Sequence, residues 1–170
     1  AINASLVGVF KESLKEPAID AIFGSVNGIE GMIEDHLIDL KTMIRSNEDM
    51  ELLRQTPSTV LGSCRYKLPD WKDDEAVYQR ILRTLQQRQI GAFFYIGGND
   101  SMDTVQKLST YFEEHGISIR VIGIPKTIDN DLWGTDMTFG FQSAVNIATD
   151  AIDCIHTTAA SHGRVFIVEI

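Results

Sequence analysis

The sequence predicts an α/β fold, a three-layer Rossmann-like sheet with helices on both faces. Three observations carry this. Short apolar runs at residues 92–96, 117–124 and 165–170 alternate with stretches of helical period. The run AFFYI at 92–96 is unbroken, as in a parallel strand buried on both sides. Polar segments rich in Gly, Asp and Asn follow two of these runs, where α/β sheets place their ligand loops.

In order along the chain, residues 2–15 space Ile2, Leu6, Val9, Phe10 and Leu14 near the helical period, and Pro17 ends that helix. Residues 19–26 form an apolar run closed by Asn27-Gly28, a strand followed by a turn. The stretch through Gly28, Gly31 and Asp39 reads as short elements and loop. Ser46 with Glu48 and Asp49 marks a helix start, because acidic side chains satisfy free N–H groups and favour the positive end of the dipole. That helix stops before Pro57, and residues 59–63 are expected to form a strand edge. Residues 73–88 carry Val77, Ile81 and Leu85 on one face of a second amphipathic helix. After the strand at 92–96, a helix is expected over 101–114, with His115-Gly116 as its stop. A strand at 117–124, a long loop at 125–141, a helix at 143–157 and a strand at 165–170 complete the pattern.

Composition narrows the classes of function. The formal net charge of −9 argues against a general nucleic-acid binder, which needs a basic stripe. It leaves room for small anions, which a few cations and backbone amides can hold. No run of 18 apolar residues suggests a membrane span, and no leader-like segment opens the chain, so a cytoplasmic setting is expected. Cys64 and Cys154 form no CxxC pair and read as free thiols. The chain opens on a helix and closes on an apolar run, so it is expected to be one part of a larger domain.

Four segments hold residues able to do chemistry. Gly97-Gly98-Asn99-Asp100-Ser101 follows a buried strand and opens a helix. Its glycines let a ligand approach the backbone and the helix N–H groups suit an anion, although such glycines also simply make tight turns. Lys126-Thr127-Ile128-Asp129-Asn130-Asp131 offers two carboxylates two residues apart, preceded by a cation and a hydroxyl. Phosphoryl transfer to an alcohol needs a proton acceptor, a charge-spreading cation and donors that fix the phosphate; a merely solvated acidic loop has the same composition. Arg65 in SCRYK could clamp a phosphate in bidentate fashion, or lie solvated on the surface. Arg164 before the last apolar run reads on its own as a surface residue.

IGGNDS followed by IGIPKTIDNDLWGTDMTFGF resembles the phosphofructokinase family, and INASLVGV, LGSCRY and SHGRVFIVEI agree with its flanks in the same order. The resemblance implies the N-terminal, donor-binding and catalytic domain of that family across residues 1–170. The first strand with its glycine loop, and the sugar-binding domain, would lie outside the chain. It implies Asp129 as the base that takes the sugar 1-hydroxyl proton, with Asp131 supporting metal and transition state. Thr127 would touch the sugar or the moving phosphate, and Arg65 would steady the transferred group. Arg164 would reach the sugar 6-phosphate of a neighbouring subunit, making a homo-oligomer, dimer or tetramer. Gly97, Gly98, Asn99, Asp100 and Ser101 would cradle the donor. Mg²⁺ is the implied cofactor, held by Asp100 or Asp129, because Asn99 stands where the family usually has a metal-binding aspartate.

Three positions resemble the pyrophosphate-dependent branch. ATP users usually have glycine where Asp100 stands, and a carboxylate there adds bulk and charge beside an α-phosphate. Lys126 replaces another glycine and can pair with pyrophosphate oxygens, and Thr104 replaces a small residue near the nucleoside. The expected partners are therefore pyrophosphate and fructose 6-phosphate, with no nucleic acid and no membrane. The alternatives are an ATP-dependent enzyme and a non-catalytic subunit of the same family. Asp100 and Asp103 also have a plainer reading as helix-capping residues.

Overall fold

The computed structural model describes residues 1–170, which fall into two compact units, Ala1–Pro125 and Lys126–Ile170.

The first unit opens with α1 (Ile2–Ser13), which buries Leu6, Val7 and Phe10 and ends ahead of Pro17. A strand β1 (Phe23–Ser25), helix α2 (Ile29–Ile33), strand β2 (Leu37–Asp39) and helix α3 (Leu40–Met43) follow. β1 and β2 pair antiparallel, with Gly24 opposite Ile38. The strand expected over 19–26 is thus reduced to three residues, because β2 offers only three partners. α4 (Asn47–Gln55) starts on Ser46 as expected: the Ser46 hydroxyl accepts from Asp49 N–H, and the Asp49 carboxylate accepts from Ser46 N–H.

Residues 59–63 form no strand. Ser58 and Gly62 both take positive φ (69° and 76°), which bends the chain at each end of the segment. The Leu61 carbonyl instead accepts from Asn27 N–H at 2.7 Å. α5 (Glu75–Gln87), β3 (Ala92–Gly97), α6 (Asn99–Glu114) and β4 (Arg120–Thr127) then form the α/β portion. β3 and β4 run parallel, in a register that sets Phe93 opposite Val121 and Gly97 opposite Pro125. α5 buries Tyr78, Ile81 and Leu85, and α6 buries Thr104, Leu108, Tyr111 and Phe112, each at helical spacing. Each fully buried apolar side chain of this kind contributes on the order of 1.5–3 kcal/mol.

Helices pack on both faces of β3, but the full burial expected over 92–96 is not reached: Phe94, on the face it shares with Ile96, is 40% exposed. Side chains alternate along a strand. Phe93 and Tyr95 enter the cluster with α5 and α6, whereas Ile96 packs with the cluster of Leu6, Val7 and Phe10 from α1. The aromatic cluster centres on Tyr111, with Tyr78 at 4.8 Å and the His115 ring at 4.1 Å between centroids.

In the second unit, Lys126 and Thr127 at the end of β4 pair with β5 (Phe139–Gly140), again in parallel. The stretch expected as loop from 125 therefore begins as strand, and β4 ends at Thr127 rather than at residue 124. α7 (Phe141–His162) is longer than the expected 143–157 and stops on Gly163, whose φ of 62° and ψ of 33° suit a glycine cap. Residues 165–170 form no strand. No neighbour supplies ladder hydrogen bonds, and Val165 and Ile167 are 93% and 97% exposed.

Candidate active site

Three loops of the first unit meet at the C-terminal end of β3. Its last residue, Gly97, is buried, and a Cβ there would lie 2.6 Å from the Cβ of Ser101, so only glycine allows the chain to fold back onto the first turn of α6. Gly98 is the N-cap, with no side-chain cap. The N-terminal N–H groups of a 16-residue helix thus start at Asn99, with Asp100 and Ser101 in the first turn. The capping reading of Asp100 and Asp103 is not what the structure shows. Asp100 pairs with Lys67 Nζ at 3.2 Å, and Asp103 pairs with Lys107 at 2.6 Å one helical turn on.

The second loop is the SCRYK segment. Through Lys67 it is brought against the glycine loop, and Arg65, two residues earlier, is exposed beside it. The third is the Asn27-Gly28 turn. Gly28 has φ 62°, and a Cβ placed on it would stand 3.3 Å from both Cys64 Sγ and the Tyr95 hydroxyl oxygen. That hydroxyl also interacts with the Ser101 hydroxyl and the Ile29 backbone. Burial first, then Cys64, hold the Tyr95 phenol above the ordinary tyrosine range, so it stays protonated. Thr104 is buried and its hydroxyl donates to the Asp100 carbonyl at 3.0 Å, so it packs within α6 rather than facing an open site.

The second unit carries the acidic loop. Thr127 is buried, and its hydroxyl both accepts from Asp129 N–H at 3.1 Å and donates to Asp129 Oδ2 at 3.3 Å. Asn130 adopts φ 51°, a conformation asparagine tolerates well. Its Oδ1 accepts from Thr138 N–H at 2.9 Å, and the buried Thr138 hydroxyl donates to the Thr127 carbonyl at 2.7 Å. These bonds close the loop and leave Asp129 and Asp131 exposed on it. Lys126, Thr127, Asp129 and Asp131 are therefore brought together on one strand end and its loop. Arg164 is not among them: it follows the far end of the 22-residue α7, whose length is roughly 33 Å at 1.5 Å per residue.

No group of three or more His, Cys, Asp or Glu side chains converges as a ready-made metal cage. Mg²⁺ does not need one, since it keeps several waters and binds through one or two carboxylates and the phosphates themselves. The donor set on this chain suits that mode.

Sequence reasoning missed Lys67, Tyr95, Asn130 and Thr138. Tyr95 had a visible signal, a polar hydroxyl in an otherwise apolar strand run two residues before the glycines.

A β-strand, a glycine-capped helix start and an adjoining arginine loop on an α/β sheet make an arrangement that suits an anion. The comparisons narrow that class. The phosphofructokinase family profile matches residues 1–170, and the chain belongs to that family. It is 41% identical over 155 residues to the pyrophosphate–fructose 6-phosphate 1-phosphotransferase of Rhodospirillum rubrum, covering 91% of this chain and 37% of the relative. It is 38% identical over 176 residues to an ATP-dependent 6-phosphofructokinase of Spirochaeta thermophila, covering 99% of this chain and 45% of the relative. A crystal structure of the pyrophosphate-dependent phosphofructokinase of Nitrosospira multiformis superposes with a TM-score of 0.81 at 38% identity, covering 94% of this chain and 39% of that one. The chain thus spans less than half the length of the curated relatives it matches. No helix is long and apolar enough to cross a membrane.

Proposed function

We propose that this chain carries the donor-binding and catalytic domain of an enzyme that moves a phosphoryl group from pyrophosphate to the 1-hydroxyl of fructose 6-phosphate. The observation that carries the donor assignment is the Asp100 carboxylate in the first turn of α6, held there by Lys67. Lys67 offsets part of the negative charge, so exclusion of a longer donor rests on the space these two side chains occupy as much as on repulsion. Pyrophosphate ends before that point. Lys126, next to the loop of Asp129, supplies a cation for its oxygens.

In the reaction, Asp129 accepts the proton of the sugar 1-hydroxyl as that oxygen attacks the terminal phosphorus. The bond from phosphorus to the bridging oxygen breaks, and orthophosphate leaves. The Thr127 hydroxyl orients the Asp129 carboxylate. Arg65 and the α6 N–H groups hold the phosphate oxygens. Asp131, beside the base, would be a better seat for Mg²⁺ than Asp100, whose carboxylate Lys67 engages. Mg²⁺ would supply charge neutralisation on the transferred group. Arg164, exposed and a helix length from the acidic loop, suits a role toward another subunit's sugar phosphate in a homo-oligomer. The setting proposed is the cytoplasm.

The second reading is ATP dependence. It is favoured by the 38% identity to the ATP-dependent relative. A coupled assay of the native enzyme with each donor separates the two. Turnover with pyrophosphate and none with ATP is expected; the reverse overturns the donor assignment. Asp129→Asn is expected to lower kcat by 10²–10⁴-fold, the usual contribution of a general base. Native turnover in that variant would sink the phosphotransferase mechanism.

A further inference from the structure

The Tyr95 hydroxyl is the point where three separate chain segments touch. Gly28 and the Ile29 amide come from the turn into α2, Cys64 from the arginine loop, and Ser101 from the first turn of α6. Two of these segments carry the groups assigned to the donor: Arg65 is covalently next to Cys64, and Ser101 lies in the glycine loop. Tyr95 itself is fixed, because it lies on β3 within the hydrogen-bonded register and packs at 5.8 Å from the Phe93 ring. A rigid strand thus presents one polar handle to two loops that must hold a polyanion between them. Positioning of that kind governs affinity strongly, since phosphate recognition depends on donors placed within fractions of an ångström.

We propose that Tyr95 is the positioning residue of the donor site, its hydroxyl setting the spacing between the Arg65 loop and the N-terminus of α6. The residue acts through Ser101 and Cys64. The proposal rests on the phosphotransferase reading of these loops, but not on which donor they take. Replacing the hydroxyl removes one anchored contact from each loop without opening the core, because the ring remains.

The test uses the native enzyme carrying Tyr95→Phe, with KM for the donor and for the sugar phosphate measured separately. The donor KM is expected to rise about tenfold, with the sugar KM unchanged. Alkylation of the half-buried Cys64 by iodoacetamide is expected to speed up in Tyr95→Phe, as the loop that carries it loosens. Cys64→Ala gives an independent arm and is expected to raise the donor KM alone. If both KM values move together, or neither moves while the melting temperature falls, Tyr95 is only a packing residue and the proposal is overturned. Asp129→Asn, assayed in parallel, tells the two failures apart. Full turnover there overturns the phosphotransferase reading and this proposal with it. Loss of turnover there, with a constant donor KM in Tyr95→Phe, overturns the positioning role alone.

Discussion

Asp100 occupies the second residue of α6, where a carboxylate meets the positive end of the helix dipole, and Lys67 reaches it at 3.2 Å from another loop. Both side chains are mostly exposed, so the pair adds little to stability, in the range of about 0–1 kcal/mol for such contacts. Its significance lies in where it holds the carboxylate. Removing that carboxylate together with Lys126 should trade one donor for the other. The double variant Asp100→Gly, Lys126→Gly is expected to lower kcat/KM for pyrophosphate by at least tenfold and to bring ATP turnover into the measurable range; coupled assays with both donors check it. Unchanged preference would show that selection resides elsewhere. Residue identity made Asp100, Asp129 and Lys126 legible as candidates from the sequence. Their supports were not. Lys67, Asn130 and Thr138 act through contacts that only the folded loops create, such as the bond from Thr138 N–H to Asn130 across eight residues.

Elements defined by local rules were legible, and those defined by a partner were not. The α4 start was readable because Ser46 and Asp49 satisfy each other within three residues. The helices α1 and α5 followed from apolar spacing, and α6 from the glycines that precede it and the His115-Gly116 stop after it. Strand limits failed because a strand extends only as far as its neighbour does: β1 is cut to three residues by β2, and β4 is carried on to Thr127 by β5. α4 also makes a testable statement about pH. Glu51 accepts two hydrogen bonds from Arg54 one turn on, and these, with a further bond from Gln55, hold its carboxyl down at about 2. A carboxyl depressed in the folded state stabilises above its unfolded value, near 4.5, and the contribution is lost as pH falls toward about 2. Thermal unfolding followed from pH 6 to pH 2.5 should show a shallower acid decline in Glu51→Gln than in the parent. The difference is small, because the pair is exposed and screened by salt. Equal slopes would mean that Glu51 is as easily protonated in the folded chain as in the unfolded one.

For the molecule as a whole, two opposing forces govern behaviour in solution. A net charge of −9 keeps copies apart at low ionic strength, where repulsion reaches beyond molecular contact. Against it stands the ribbon of residues 165–170, with Val165 and Ile167 almost wholly open to water and no ladder of backbone bonds to occupy it. Bare peptide groups flanked by β-branched side chains template their own kind. Salt shortens the reach of the repulsion to about 3 Å at 1 M while leaving the apolar attraction intact. The isolated 170-residue chain is therefore expected to scatter more light as salt is raised, and Val165→Lys with Ile167→Lys to abolish that rise. For anyone handling this polypeptide by itself, shelf life becomes a matter of ionic strength, and desalting is what should keep the tube clear.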